Sequence, residues 1–121
     1  MPAPNIVNVS TIIARTVATS SLQSGSLTAI LTNTAASNKV FKINSVLVSN
    51  KNLTATTAVD LAFQSASNDY FLARRVTIPI SSSVILVGKE NSFYLEEGCS
   101  IRGFASQTSS LDVVIGYEEL N

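Results

Sequence analysis

The chain has 121 residues, the size of one domain, and 45% of them are hydrophobic while only 13% are charged. A globule of this length buries roughly 65% of the surface of its unfolded chain, so the composition predicts a folded domain rather than a disordered one. Eight basic residues balance eight acidic ones. This balance excludes a strong electrostatic field, and we expect neither nucleic acid nor a membrane surface as a partner.

The first twenty residues differ from the rest of the chain. They contain Pro2, Pro4 and clusters of Ser and Thr, which predicts an extended N-terminal arm or a first edge strand over 1–20. A single β-sandwich domain is predicted over 21–121. No basic segment precedes an uninterrupted apolar stretch, so we expect no signal peptide. No run approaches about 18 apolar residues, so no membrane-spanning segment is expected.

Apolar residues recur with a period of two along the rest of the chain, as in half-buried strands. Short clusters rich in Ser, Asn and Gly interrupt this pattern at intervals of about 8–14 residues, which is typical of an all-β sandwich or barrel. The fold class predicted is an all-β, antiparallel β-sandwich of the jelly-roll or Ig-like type. The predicted strands are 26–33, 40–50, 57–64, 70–78, 83–88, 99–106 and 111–120. The continuous apolar run in 83–88 predicts a strand covered on both sides.

Several predicted strands carry apolar residues on both faces, whereas a two-layer sandwich needs only one apolar face on each sheet. In the strand 40–50, Phe41, Ile43 and Leu47 are assigned to one face and Val46 and Val48 to the other. The surplus suggests that neighbouring chains cover some outer faces. The alternative is that scattered exposed apolar residues are ordinary. The interface candidates are Val46, Val48, Phe104, Val114 and the basic doublet Arg74 and Arg75.

Groups that carry catalysis are scarce. The chain has no histidine and one cysteine, and no glycine-rich phosphate loop, so we expect no enzyme, no catalytic residue, no cofactor and no metal. Cys99 lies in "LEEGCSIRG", where we predict a turn at 96–98 leading into a strand, with Cys99 on the face of Ile101 as a buried small hydrophobe. The neighbours Glu96 and Glu97 should point to opposite faces, as should Glu118 and Glu119.

The aromatic residues follow the alternation of the predicted core, and tryptophan is absent. We therefore expect no exposed aromatic surface on which a nucleobase could stack. Binding of sugars, which usually needs exposed aromatic rings, is disfavoured for the same reason.

The stretch "VTIPISSSVILVGKENSFYLEEGCSIRGFASQTSSLDVVIGYEEL" (76–120) resembles small β-sandwich virion structural proteins of tailed bacteriophages. The shared cadence is a strand, "IP" with a small polar turn, an apolar strand, a turn at Gly98, a Ser-rich hairpin and a final strand ending in "EE". The segments "KVFKINSVLVSNKN" and "AVDLAF" extend the resemblance to about residues 27–120. Where such proteins usually carry Asp after the turn glycine, this chain has Cys99.

The resemblance implies a non-enzymatic virion protein, made in the host cytoplasm and carried in the particle. A capsid decoration (cement) protein is expected first. It would stabilise the shell as a homo-oligomer, with a trimer favoured, by burying strand faces and its N-terminal arm between subunits. Its partners would be major capsid or tail proteins. The alternatives are a tail, neck, baseplate or fibre-associated module, and a carbohydrate-binding β-sandwich.

Overall fold

The computed structural model describes residues 11–20, 22, 24, 26–107 and 110–120, and most of them lie in strands. A short 3-10 helix spans Lys89–Asn91. The strands within the described residues are β1 (Ile12–Thr19), β2 (Thr28–Asn33), β3 (Val40–Asn50), β4 (Thr57–Ser65), β5 (Asn68–Ile78), β6 (Ser83–Val87), β7 (Phe93–Leu95), β8 (Cys99–Ala105) and β9 (Leu111–Leu120).

The strands form two antiparallel sheets. The first, sheet A, has the order β1-β9-β3-β6, and β7 also pairs with β3. The second, sheet B, has the order β2-β8-β4-β5. Because β9 occupies one side of β3, β6 and β7 share the other side and together form one interrupted edge. The predicted all-β antiparallel sandwich is confirmed.

The strand pairs are nested along the chain, which identifies the topology. β4 pairs with β5, β3 with the combined β6 and β7, β2 with β8 and β1 with β9. Successive pairs alternate between sheet B and sheet A, as in a long two-stranded ribbon wrapped around a core. This arrangement of eight strands in two packed sheets is a jelly roll. The Ig-like alternative divides its strands differently between the two sheets.

The N-terminal segment contributes an edge strand to the sandwich. Residues 12–19 form β1, which runs antiparallel to β9 with Ile12 opposite Leu120 and Thr19 opposite Val113. Val17 packs against the core, while most other side chains of β1 are exposed. Residues 1–10, the remainder of the predicted arm, lie outside the described residues.

The core lies between the two sheets and is almost entirely aliphatic. Because two twisted sheets pack face to face, the inward residues of both interdigitate. Cys99 belongs to this core and is 7% exposed. The fully buried large side chains are Leu22, Ile43, Val46, Val48, Val59, Leu61, Ile78, Leu95, Ile101, Leu111, Val113 and Ile115.

A β-bulge in β3 changes which of its residues face the core. The register with β9 shifts between Ile43 and Ser45. Since side chains alternate along a strand, one extra residue exchanges the two faces beyond that point. Ile43 points inward before the bulge, and Val46 and Val48 point inward after it, all with 0% exposure. The sequence-based assignment of Leu47 to the face of Ile43 is therefore wrong, because Leu47 points outward.

Two other expectations about faces are also wrong. β6 lies at an edge of sheet A, and its Ile85 is 68% exposed, so β6 is not covered on both sides. Strict alternation along the predicted strand 70–78 would place Tyr70 and Leu72 on the face of the buried Ile78. Register shifts in the pairing of β4 with β5 break this alternation, and Tyr70 and Leu72 are exposed.

Two buried asparagines tie strand ends together. Asn33, at the end of β2, donates from Nδ2 to the carbonyl oxygens of Lys39 (2.8 Å) and Leu95 (3.0 Å). Asn50, at the end of β3, donates to the carbonyl oxygen of Ile78 (2.9 Å) and accepts from the amide of Asn52 (2.9 Å). Backbone groups that would otherwise be buried without partners are satisfied in this way, which fixes the strand ends.

The tight turn between β4 and β5 provides a test of backbone strain. Ser65 pairs with Asn68, and the two residues between them, Ala66 and Ser67, have positive φ angles of 52° and 66°. A type I′ turn needs this conformation at both central residues, and glycine adopts it without the cost that a Cβ imposes. We predict that Ser67→Gly raises the free energy of unfolding by about 1 kcal/mol, measured by urea denaturation.

The control for this change is Ala35→Gly. Ala35 is an exposed turn residue whose φ is not positive, so glycine there should give no gain, and its extra freedom in the unfolded chain should lower stability slightly. Equal effects of the two substitutions would contradict the strain argument.

Candidate contact surfaces

The turn before β8 has the geometry predicted from "LEEGCSIRG". The amide of Cys99 donates to the carbonyl oxygen of Glu96 (3.1 Å), and Gly98 has φ 80°. These are features of a type II turn, which favours glycine at its third position. Glu97 accepts a hydrogen bond from the amide of Asn38 (2.5 Å), while Glu96 is exposed. The turn and the burial of Cys99 beside Ile101 are confirmed.

The second carboxylate pair also diverges as predicted. Glu119 is 5% exposed and forms ion pairs with Arg15 and, at 2.9 Å, with Lys39. Glu118 is half-buried on the opposite face of β9. A buried carboxylate needs such partners, because removing an unpaired charge from water is costly. These two ion pairs therefore link β1 and the residue before β3 to β9. Within the part of the chain that the structure describes, no three His, Cys, Asp or Glu side chains are grouped to hold a metal.

Four apolar side chains cross the outer face of sheet A in a single row. Ile85 of β6 lies opposite Leu47 of β3, Leu47 lies opposite Val114 of β9, and Val114 lies opposite Ala18 of β1. Ile85 is 68% and Val114 37% exposed, Ala18 is exposed and Leu47 is half-buried. We call these four residues the outer apolar row. The row forms an apolar strip across the outer face of sheet A.

Polar residues flank the outer apolar row. On one side Ser49 lies between Ser83, whose hydroxyl oxygen is 2.8 Å from that of Ser49, and Asp112 of β9, which forms an ion pair with Lys51. On the other side Ser45 lies opposite Gly116, which lies opposite Thr16 of β1. The hydroxyl groups are less costly to remove from water than the charge of Asp112 is, so a contact on this face would bury the side of Thr16 and Ser45 more readily than the side of Asp112.

The predicted interface residues do not form one surface. Val46 and Val48 lie in the core and are unavailable to a partner, because the bulge in β3 turns them inward. Val114 reaches the outer face of sheet A. Phe104 is half-buried on sheet B, where it lines a depression of about 250 Å³ together with Arg75.

The two arginines of the basic doublet have separate environments. The backbone amide of Arg75 donates to Oδ1 of the buried Asp60 (2.9 Å), and Arg75 has φ 51°. The guanidinium of Arg74 lies over the ring of Phe71, 4.4 Å from its centroid. This cation–π contact covers one face of an exposed ring.

Aromatic side chains line an open groove where the edge of sheet B meets the edge of sheet A. The groove has a volume of about 480 Å³ and contains Phe63, Tyr70, Phe71, Phe93 and Tyr94, which we call the aromatic groove. Phe93 meets Phe63 edge to face, with ring centroids 6.0 Å apart. Tyr70 is 56% and Tyr94 43% exposed. The expectation that the aromatic residues belong to the core is therefore wrong for Tyr70, Phe71 and Tyr94, whereas Phe63 and Phe93 pack against the core.

One signal in the sequence points to the aromatic groove. "DYFLAR" places three large apolar residues, Tyr70, Phe71 and Leu72, in succession. Such a run in an edge strand exposes part of itself whichever face is inward. All three are exposed. The second wall, from Phe93 and Tyr94, belongs to the three-residue strand β7, which is too short to show an alternating pattern.

Comparison of the chain with protein-family models, with curated proteins and with solved structures finds no match in any of the three. A search of the described residues for a helix of sufficient length and hydrophobicity to cross a membrane finds none. The outer apolar row and the aromatic groove are the candidate contact surfaces among the described residues.

The burial of Cys99 predicts a protected thiol. Its side chain is packed in the core, and a thiol has to reach solvent as a thiolate to react. We expect a disulfide reagent such as DTNB to modify Cys99 at least about tenfold more slowly in the folded protein than in urea. Modification at equal rates under both conditions would contradict the burial of Cys99 and reopen a reactive role.

Proposed function

We propose that this chain is a non-enzymatic structural protein of a virion, and first a capsid decoration protein. The outer apolar row supports this proposal most directly. Val114 is exposed at the centre of a sheet face and Ile85 at its edge, whereas a sheet face that meets only water typically carries polar side chains. In the proposed function this face lies against the major capsid protein, and the protein, made in the host cytoplasm, is carried in the particle.

The size of the row indicates how attachment would work. Complete burial of a Val, Leu or Ile side chain contributes about 1.5–3 kcal/mol, and Leu47 and Val114 are already partly covered. One row therefore binds weakly. Several copies held in one oligomer and placed on repeated sites of a shell would bind much more tightly, because the later contacts are intramolecular. A capsid offers such repeated sites, so a decoration protein can be held by several weak contacts at once.

The jelly-roll architecture is compatible with the proposal, since viral capsid and lectin domains use it. This support is an analogy at the level of the fold, and folds host many functions. A tail, neck, baseplate or fibre-associated module would use the same contact surface. Location in the particle separates the two: density on the shell supports decoration, and density on the tail supports the module.

Introducing a charge into the outer apolar row tests whether this face contacts the particle. Leu47→Lys places an ammonium group in the middle of the row, where burial against a partner would cost several kcal/mol. We predict that the variant folds but no longer cosediments with particles of the virus that encodes it. The matched control is Thr32→Lys, an exposed position on β2 of the other sheet.

Thr32→Lys should cosediment like the wild type. Unchanged binding of the folded Leu47→Lys variant would remove the outer apolar row from the contact. Failure of the wild-type protein to bind any part of the particle would contradict the virion proposal itself.

A carbohydrate-binding function is the second candidate, and the aromatic groove favours it. Exposed tyrosine rings offer apolar faces and hydroxyl groups to a sugar, and Tyr70 and Tyr94 line the same groove beside Asn91. This observation offsets the absence of tryptophan.

A glycan array tests the second candidate. We predict that any glycan retained by the wild type is lost with Tyr94→Ala and kept with Tyr117→Phe, which alters a tyrosine outside the groove. An array without hits removes this function, and hits that survive Tyr94→Ala remove the groove as their site.

A further inference from the structure

The exposed edges of the two sheets differ in how they resist pairing with another chain. A free edge offers unpaired backbone N–H and C=O groups, and natural proteins block it with bulges, charges, proline or short strands. The edge of sheet B at β2 has a register shift between Ala29 and Leu31. The edge at β5 has register shifts and carries Arg74 and Arg75. The edge of sheet A at β6 and β7 is divided by the 3-10 helix.

The remaining edge, at β1, has no register shift and no interruption among the described residues. Its eight residues, "IIARTVAT", pair with β9 in an unbroken register from Ile12 to Thr19. It contains no proline, and its one charged side chain, Arg15, forms an ion pair with Glu119 of the same chain. β1 is thus a regular strand whose charge is engaged within its own sheet.

The outward face of β1 is also suited to close approach. On this face Ile12, at the start of the strand, is large and 60% exposed, while Ala14, Thr16 and Ala18 are small and exposed. Their neighbours Val17, which packs on the core, and Arg15, which contacts Glu119, mark the opposite face. Small outward side chains leave room for a further strand and for the side chains it brings.

We propose that β1 pairs with β1 of a second copy of this chain, antiparallel and across a two-fold axis. A second copy is the occupant that fits best, because its own β1 has the same length, regularity and small outward side chains. A two-fold, isologous contact of this kind is the commonest way in which soluble proteins form oligomers. The two copies of sheet A then form one continuous sheet.

The symmetry limits the register. Residues that face each other in an antiparallel pair point to the same side of the sheet. A two-fold axis that relates two β1 strands in one sheet therefore lies between the strands. At the axis, one residue pairs with the same residue of the second copy. An axis at Arg15 would place two guanidinium groups opposite each other, which is unfavourable. An axis at Thr16 pairs residues 13–19 of both copies and places Ala14 opposite Ala18 of the second copy.

This register has a consequence for the outer face. Ala18 is the last residue of the outer apolar row, so the two rows approach each other across the new strand pair. The dimer would present two apolar strips on one continuous surface. The inference does not depend on the virion proposal. It also differs from the trimer that the phage resemblance favours, so the oligomer size distinguishes the two.

The first experiment measures the size and contact of the oligomer. Sedimentation should show a dimer. In a Cys99→Ser background, Thr16→Cys should give a disulfide-linked dimer under mild oxidation, because facing Cα atoms about 4.5–5.5 Å apart lie within the range of disulfides. Thr77→Cys, an exposed position on the blocked edge β5, should remain uncrosslinked.

The second experiment tests the register by exchanging charges. Ala14→Lys with Ala18→Lys places lysine opposite lysine twice across the axis and should weaken the dimer about tenfold or more. Ala14→Lys with Ala18→Glu places lysine opposite glutamate at the same positions and should leave the dimer intact. Both variants should keep the thermal stability of a folded domain, since neither changes the core.

Three outcomes would overturn the inference. They are a wild-type monomer or trimer in sedimentation, crosslinking of Thr77→Cys as efficient as that of Thr16→Cys, and equal effects of the two charge variants. A trimer that still binds particles would leave the virion proposal in place. A dimer through β1 that binds no particle would support this inference and contradict the virion proposal.

Discussion

The pairing of β3 with β9 is the constraint on which the rest of the structure depends. β3 pairs with β9 on one side and with both β6 and β7 on the other, so sheet A is built around it. The bulge between Ile43 and Ser45 turns the second half of β3 over. It sends Val46 and Val48 into the core and Leu47 outward beside Val114. One local irregularity therefore determines both the core and the outer apolar row.

Strand positions could be predicted from the sequence because local chemistry determines them. β3 (Val40–Asn50) and β9 (Leu111–Leu120) have the predicted bounds, since Asn, Ser and Gly clusters interrupt the alternation beside them. The faces of β3 and β5 could not be predicted in full. A bulge forms where an extra residue fits between hydrogen bonds to a partner strand, and that partner lies far away in the chain. β7, with three residues, is too short to carry a pattern.

The same distinction applies to the candidate sites. The turn at Gly98 was predictable, because it is formed by the four consecutive residues 96–99. The glycine that its positive φ favours can be read directly in the sequence. The outer apolar row combines four strands, and of its members only Val114 was an interface candidate. The aromatic groove joins an edge of sheet B to an edge of sheet A. Each surface is formed by strands that the nested order brings together. Alternation within one strand does not show which other strands are its neighbours.

The nested order also distributes the entropy of chain closure unevenly. Pairing β4 with β5 closes a turn of two residues, Ala66 and Ser67. Pairing β1 with β9 first would close a loop containing most of the chain, and the entropy lost grows with the length of the loop. Each inner pair that forms shortens the effective loop for the next. The innermost pair of the ribbon, β4 with β5, therefore forms at the lowest cost in chain entropy. The outermost pair, β1 with β9, forms at the highest cost, and it contains the first strand of the chain.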